Sequence, residues 1–523
     1  LGSTLMELGR VEAAVPCFKR LLRQAPKERE AHYQLGQALA ALGQTEAAID
    51  HLQIALALEP TAPEVLMSLE WHRLSLCDWR DYEQRQAVLL ERLQAYAQAE
   101  DGARLPPMSA YLLPGATPSL LLQLGTRWAT STSREMAQLQ LPCTSTSTSQ
   151  QRIRLGYLSA DFRNHAMGNL IHGLFAHHDR SRFEVFAYSL ADLEDNVSAA
   201  IRQGVDHYCT VSQLSCQAIA ARIRSDGITV LIDLMGHTHH SRPRVLALRP
   251  APLQLHYLGF PGSLGADWID GVIADAWLIP AEHEAHYREA VHRLPWGFVS
   301  SAPLPEPATN GPLPSRASLG LPAEAVVLAC FNRAEKITPA VFDAWLEILH
   351  QVPDAVLWCI NDSPVVQQRL QARLRVAGLE PGRLVVSPVV EPAVFAHCCT
   401  LADVFLDTSP YGAGATAVTA LAAGLPLITC PGNSFASRMG ASLCAATGLE
   451  ELICCDQEAY VATAIGLGRD RTKLHRLRQR LHELRSELPL FRTGDWVKHF
   501  ETLLETLVET QRMTELHADQ DNA

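Results

Sequence analysis

The stretch SADFRNHAMGNL, residues 159–170, gathers Asp161, Arg163, Asn164 and His165 between the apolar run IRLGYL and Gly168. An acid, a guanidinium, an amide and an imidazole together can hold a polar ligand or move a proton. A histidine pKa of about 6.5 suits a base at neutral pH. A surface turn would have the same composition, but an edge at the carboxyl end of a parallel strand also accounts for the position. Asp161 and Asn164 are expected to shape this loop through side-chain to backbone hydrogen bonds. A second candidate is the turn Gly412-Ala413-Gly414 after VFLDT, with Ala415 and Thr416 opening a helix. Free N–H groups at a helix start can hold phosphate without a metal. HTHH, residues 237–240, would put His237 and His239 on one face of an extended strand. No cysteine or carboxylate joins them locally, and Gly236 points to a loop, so no metal is expected there. Neither a Walker A sequence nor a strand-borne GxGxxG is present.

These residues need elements to position them. From Arg152 the runs IRLGYL, FEVFAYSL, TVLIDLMG and LQLHYLGF read as short buried strands, with helix-like segments such as CQAIAARIRS among them. A second series, AVVLACF, AVLWCI, RLVVSPV, DVFLDT and PLITC, alternates with four more helical segments. The alternation predicts parallel sheets covered on both faces. The Pro-rich SAPLPEPATNGPLPSR lies between the two series as a hinge, so two α/β units should face a cleft.

The amino-terminal part carries a different grammar. Leu8-Gly9 and Leu42-Gly43, Ala14 and Ala48, and Pro26 and Pro60 each recur at one 34-residue spacing, as do Gly2 and Gly36. This is the period of the tetratricopeptide repeat, a helix pair. Leu35, Leu39, Leu42, Ala48, Leu52 and Ala55 are the expected packed stripe. Pro16 is tolerable only near the first turn of its helix. Residues 63–104 continue as helix, prolines 106, 107, 114 and 118 break the pattern, and a further helix follows. TSTSTSQQ, residues 144–151, reads as a linker or exposed loop, and the last residues, TQRMTELHADQDNA, as a fraying end. The expected domains are 1–67 for the repeats, 68–150 for a helical linker region, 151–303 for the first α/β unit and 304–523 for the second.

Composition narrows the function. The chain has 523 residues, too long for one core, and a net charge of −12. That charge argues against a nucleic-acid or anionic-membrane surface, which needs clustered Lys and Arg. Thirteen cysteines, an odd number without recurrent CxxC spacing, fit reduced thiols and a cytoplasmic setting. No run of about 18 apolar residues suggests a membrane span, and no signal peptide is visible. The first residue is Leu, so residues missing upstream are expected.

Helical repeats followed in order by GYLSADFRNHAMGNLI, DLMGHT, LRPAPLQLHYLGFPGSLGADWIDGVIAD, CFNRAEKITPAVFDAWLEILHQVPDAVLWCI, LADVFLDTSPYGAGAT and GLPLITCPGNSFASRMGASLC resemble the O-GlcNAc transferases, a family that includes the plant SPINDLY-type proteins and many bacterial members. The resemblance spans almost the whole chain. It implies a GT-B fold, two Rossmann-like domains facing a cleft with the nucleotide mainly on the second. It also implies an inverting enzyme that uses no metal or other cofactor and moves a sugar, N-acetylglucosamine from UDP-GlcNAc, to Ser or Thr of proteins. The repeats would guide the protein or peptide acceptor.

By the same resemblance Lys336 contacts the diphosphate, and Arg333, where animal members have glutamine, adds a second cation. Gly414, Ala415 and Thr416 hold the diphosphate at a helix start. Val390 reads the base through its backbone, and Phe395 stacks on it. His165 stands beside the reaction centre, as the base or as a contact to sugar or acceptor. Asp226 matches an acid once proposed for the same role, although acids before buried strands are commonly caps. Gly262, in GFPGSLG, belongs to a loop expected to line the sugar site.

Three positions depart from the animal enzymes. Pro392 replaces a nucleotide-contacting lysine, Gly414-Ala415 replaces His-Thr, and Thr419 replaces a ribose-holding Asp. The domain that animal members insert between the catalytic halves is reduced to the Pro-rich hinge. These losses leave open a fucosyl donor on GDP, a UDP-glucose donor, or a nucleotide-binding or inactive repeat-containing adaptor.

Overall fold

The computed structural model describes residues 1–7, 9–99, 105–139, 152–301 and 313–521. The TSTSTSQQ segment and most of the Pro-rich hinge lie outside the described residues. At the amino end, helices Arg29–Ala41 and Thr45–Leu58 form the better repeat. They approach closely because Gly36 has no side chain: a Cβ there would stand 2.9 Å from Leu52 Cγ. Leu35, Leu39, Ala48, Leu52 and Ala55 are buried as expected, but Leu42 caps the first helix and is half-buried. Pro16 falls in the second turn of Val11–Gln24, because that helix begins at Val11. Helices Pro63–Ser75, Tyr82–Gln98 and Pro118–Met136 continue the helical region. The last packs on the first α/β unit, where Gly125 and Gly265 leave no room for a side chain between the two backbones.

The first sheet contains β1 (Ile153–Ser159), β2 (Phe183–Ser189), β3 (His207–Thr210), β4 (Val230–Asp233), β5 (Leu253–Tyr257), β6 (Gly271–Ala274) and β7 (Ala290–Arg293). The second contains β8 (Val326–Cys330), β9 (Ala355–Ile360), β10 (Leu384–Ser387), β11 (Val404–Leu406) and β12 (Leu427–Ile428). The orders are β3-β2-β1-β4-β5-β6-β7 and β10-β9-β8-β11-β12, with every pair parallel. These are two doubly wound sheets, preceded by helical repeats, in a GT-B-like arrangement. In each, the chain direction across the sheet reverses once, between β1 and β4 and between β8 and β11. The crevice beyond the carboxyl ends of such a pair is where ligands bind in open α/β sheets. It receives the loops after β1 and β4 from one side and those after β8 and β11 from the other.

The units are joined by more than the hinge. Asp275, buried just after β6, accepts hydrogen bonds from the backbone N–H groups of Trp277, Leu278 and Phe298 and from the Ser442 hydroxyl on helix Phe435–Ala445. The final helix, Thr493–Asp521, begins in the expected second unit but packs on the first. It is helical to Asp521, and its Trp496, Val497, Phe500 and Leu504 are buried in the core of the first sheet, not the second. Trp496 stacks on Tyr257 at 5.8 Å, and Glu501, almost fully buried, meets His178 Nδ1 at 3.0 Å and accepts from Arg182 at 2.6 Å. The carboxyl end therefore straps the two units together.

Candidate active site

The loop after β1 is built around Gly168, whose hypothetical Cβ would stand 2.1 Å from Arg163 O and 2.6 Å from Asp161 O. Only a glycine lets the helix Ala166–Ile171 close against its own approach, and this turns His165 outward as the residue that caps the helix. His165 Nδ1 lies 3.4 Å from Asp161 Oδ2 and 3.3 Å from the Met167 N–H. As the cap, Nδ1 accepts the Met167 N–H; in the other tautomer Nδ1–H turns to Asp161, the cap is given up, and the Nε2 lone pair is free to take a proton. Burial, opposed by the Asp161 carboxylate and helped by Arg163, holds the imidazole below its ordinary pKa. The ring is then neutral at pH 7, the state a base requires. Asp161 and Asn164 act mainly through side chains, contrary to expectation. Asp161 pairs with Arg163 at 3.3 Å and with His165, while Asn164 Oδ1 accepts from Asn169 at 3.1 Å.

Across the cleft, the turn after β8 and the turn after β11 are tied by a buried polar network. Asn332 donates to Thr408 Oγ1 at 2.7 Å and to Asp407 Oδ1 at 3.3 Å, and its own oxygen accepts from Thr416 Oγ1 at 3.1 Å. Asp407 also accepts from the Ala413 N–H at 2.7 Å and from Thr429 at 2.8 Å. The Gly412–Ala415 turn is thus fixed before any ligand arrives. Helix Ala415–Ala422 starts on it with first-turn N–H groups that have no intrahelical acceptor. Lys336 reaches the same turn. Its ammonium donates to Gly412 O at 2.8 Å and sits 3.8 Å above the Tyr411 ring. Burial pulls its pKa down to about 8 despite the opposing charges of Asp407 and Glu335. The nearby carboxylates do not fully offset that burial.

A cavity of about 1050 Å³ opens on this edge, lined by Asn332, Arg333, Val390, Phe395 and Thr416 from the second unit, with the repeat helices as the opposite wall. Arg333 is largely exposed and pairs with Glu335 at 2.9 Å. Two expected residues are elsewhere. Asp226 ends helix Cys216–Ser225 ahead of β4, so it lies at the amino edge of the sheet, where it accepts from Tyr188 OH and Arg222 at 2.8 Å each. Gly262 is buried under the Tyr111 hydroxyl, which a Cβ would meet at 1.8 Å. In its loop, the half-buried Leu258 and Gly259 stand nearer the surface. The HTHH histidines form a loop: His237 Nε2 bonds Leu264 O at 2.8 Å, and His239 and His240 meet ring to ring at 3.9 Å.

The glycosyl transferase family 41 model matches residues 76–302 and 299–500, and a tetratricopeptide repeat model matches residues 1–63. The chain belongs to glycosyl transferase family 41. Among its relatives, the probable UDP-N-acetylglucosamine–peptide N-acetylglucosaminyltransferase SEC of Arabidopsis thaliana is 34% identical over 357 residues, 67% of this chain and 36% of that protein. The probable enzyme of the same description named SPINDLY from Solanum lycopersicum is 30% identical over 68% of this chain and 38% of its own. The chain thus spans little more than a third of the length of these relatives. A solved mutant of the Thermobaculum terrenum O-GlcNAc transferase is similar over 98% of this chain and 97% of that one, at 27% identity and a TM-score of 0.80.

Within family 41, the departures noted in the sequence have local structural roles. Pro392 is the first residue of helix Pro392–Leu401, and Thr419 Oγ1 donates back to Ala415 O at 3.2 Å. Sequence reading did not single out Asn332 and Asp407, the two residues that fix the second edge. Asp407 carried the same signal as Asp161, an acid directly after a buried strand. Among the described residues no helix is long and apolar enough to cross a membrane.

Proposed function

We propose that this family 41 member is an inverting, metal-independent protein O-glycosyltransferase that moves N-acetylglucosamine from UDP-N-acetylglucosamine to serine or threonine hydroxyls, with the repeats presenting the acceptor. The observation that carries the reading is Lys336, a cation bonded to the turn that opens helix Ala415–Ala422. As the bond from the sugar C1 to the β-phosphate oxygen breaks, negative charge grows on the leaving diphosphate. A fixed ammonium and the N–H groups of Ala415 and Thr416 stabilise it as a cation would. The acceptor oxygen attacks C1 from the opposite face, and its proton passes to His165 Nε2 while Nδ1–H stays toward Asp161. Val390 and Phe395 line a cavity with Thr416 and take the nucleoside end there.

A second reading, a different nucleotide sugar, is favoured by Thr419 and Pro392, which offer no charge to the ribose or base. The test is UDP or GDP release from UDP-GlcNAc, UDP-glucose and GDP-fucose in EDTA, with and without a pool of Ser/Thr peptides. Peptide-stimulated UDP release, strongest with UDP-GlcNAc and lost in His165→Ala, supports the proposal. Release from GDP-fucose alone replaces the donor, and binding without turnover makes the protein an adaptor.

A further inference from the structure

The donor cavity is not walled by the catalytic units alone. Trp71 and His72, on helix Pro63–Ser75, line it on the repeat side, across from Val390 and Phe395. The same two residues line a second cavity of about 1070 Å³, whose other walls include Trp128 and the His237–Arg244 loop of the first unit. One dipeptide therefore borders both spaces.

This wall is anchored to the nucleotide side. Its helix packs against the Ala334–Lys336 turn. Just beyond the helix, Arg369 of the second unit donates to Leu76 O at 2.9 Å, and Trp79 meets the Phe342 ring at 5.5 Å. Trp71 and His72 are both half-buried, held but open to the cavities. Burial keeps His72 below its ordinary pKa, so near neutral pH its ring offers one donor and one acceptor. On the opposite wall, Val390 and Phe395 give apolar surface, and Asn361, Asp362 and Ser363 give polar side chains. A nucleoside held there meets Trp71 and His72 as the aromatic and hydrogen-bonding faces of the repeat side.

We propose that Trp71 and His72 are donor-specificity residues supplied by the repeat-side helix, Trp71 giving an aromatic face and His72 a hydrogen-bonding edge to the nucleoside end of the nucleotide. The inference rests on the nucleotide reading above. It makes the repeat region part of the donor site in addition to any role in presenting acceptors.

The test is calorimetric titration of UDP, UMP and GDP into the full chain and into Trp71→Ala, Trp71→Phe, His72→Ala and Lys336→Ala, with thermal melting recorded for each. Trp71→Ala should weaken UDP and UMP by the same factor, about tenfold, because base stacking is blind to the second phosphate. Trp71→Phe should recover most of that loss. His72→Ala should narrow the preference for UDP over GDP. Lys336→Ala, by contrast, should weaken UDP more than UMP. Unchanged nucleotide affinity and selectivity in Trp71→Ala and His72→Ala, with wild-type protein that binds UDP, would overturn this inference and leave the proposed function standing. Wild-type protein that binds no nucleotide would overturn both. Should Trp71→Ala fail to fold, Trp71→Phe and His72→Ala still decide the matter through the ratio of UDP to GDP affinity.

Discussion

Lys336 sets the expected pH behaviour of donor binding. Its pKa, brought down to about 8 by burial, means that the charged form dominates below pH 8 and is lost above it. A diphosphate binds the charged form, so UDP affinity should hold steady near pH 7 and fall by about tenfold per unit once pH passes 8. Lys336→Arg, with a guanidinium that stays charged, should flatten that fall. Calorimetry at a series of pH values measures both. In the proposed mechanism His165 serves the chemical step: His165→Ala should reduce transfer at least a hundredfold while leaving UDP affinity unchanged, since the proposed UDP site is on the other domain. A parallel loss of UDP binding would mean that the histidine holds the donor. The residue scale is also where sequence reading misplaced Asp226. An acid after a parallel strand lies at the ligand edge, whereas one before a strand lies at the opposite edge. Asp226 precedes β4, and that order alone placed it away from His165. Gly262 could not be resolved this way, because its burial depends on Tyr111, 151 positions earlier in the chain.

At the scale of elements, the turn that carries His165 depends on one glycine. Gly168→Ala puts a methyl group against the carbonyls of Arg163 and Asp161, both of them backbone atoms. The loop must shift, so kcat should drop at least tenfold while UDP binding is retained. Steady-state kinetics beside a UDP titration separates the two effects. Strands buried on both faces were legible as short apolar runs, and β1, β2, β4 and β5 stand where those runs lie. The edge strands β3 and β7, HYCT and AVHR, were not. They are four residues long and partly exposed, so their polar side chains mask the pattern. The inner strand β6 is also four residues and begins with glycine, too brief to stand out beside the loops around it. Leu42 was assigned to the packed stripe by spacing, but the helix had already ended at Ala41.

For the whole molecule, the closing helix is the element that sequence order concealed. It follows the second sheet in the chain but is buried in the first, and no local pattern reports which core an apolar face will choose. Its buried carboxylate Glu501 faces His178 and Arg182. Glu501→Ala would leave the buried His178 Nδ1 and the Asp179 N–H without their partner, a loss of roughly 1–3 kcal/mol. The expected outcome is a melting temperature lower by several degrees and faster proteolytic cleavage within Thr493–Asp521. The same helix links the second unit to the first, and the proposed donor site lies at the ligand edge of the second. The most direct test of that arrangement is a titration of UDP, GDP and UMP in EDTA against wild type and Lys336→Ala. The expected result is metal-independent UDP binding tighter than GDP or UMP, weakened in the variant by about tenfold or more. UDP binding that needs a divalent cation, or that is indifferent to Lys336, would contradict it.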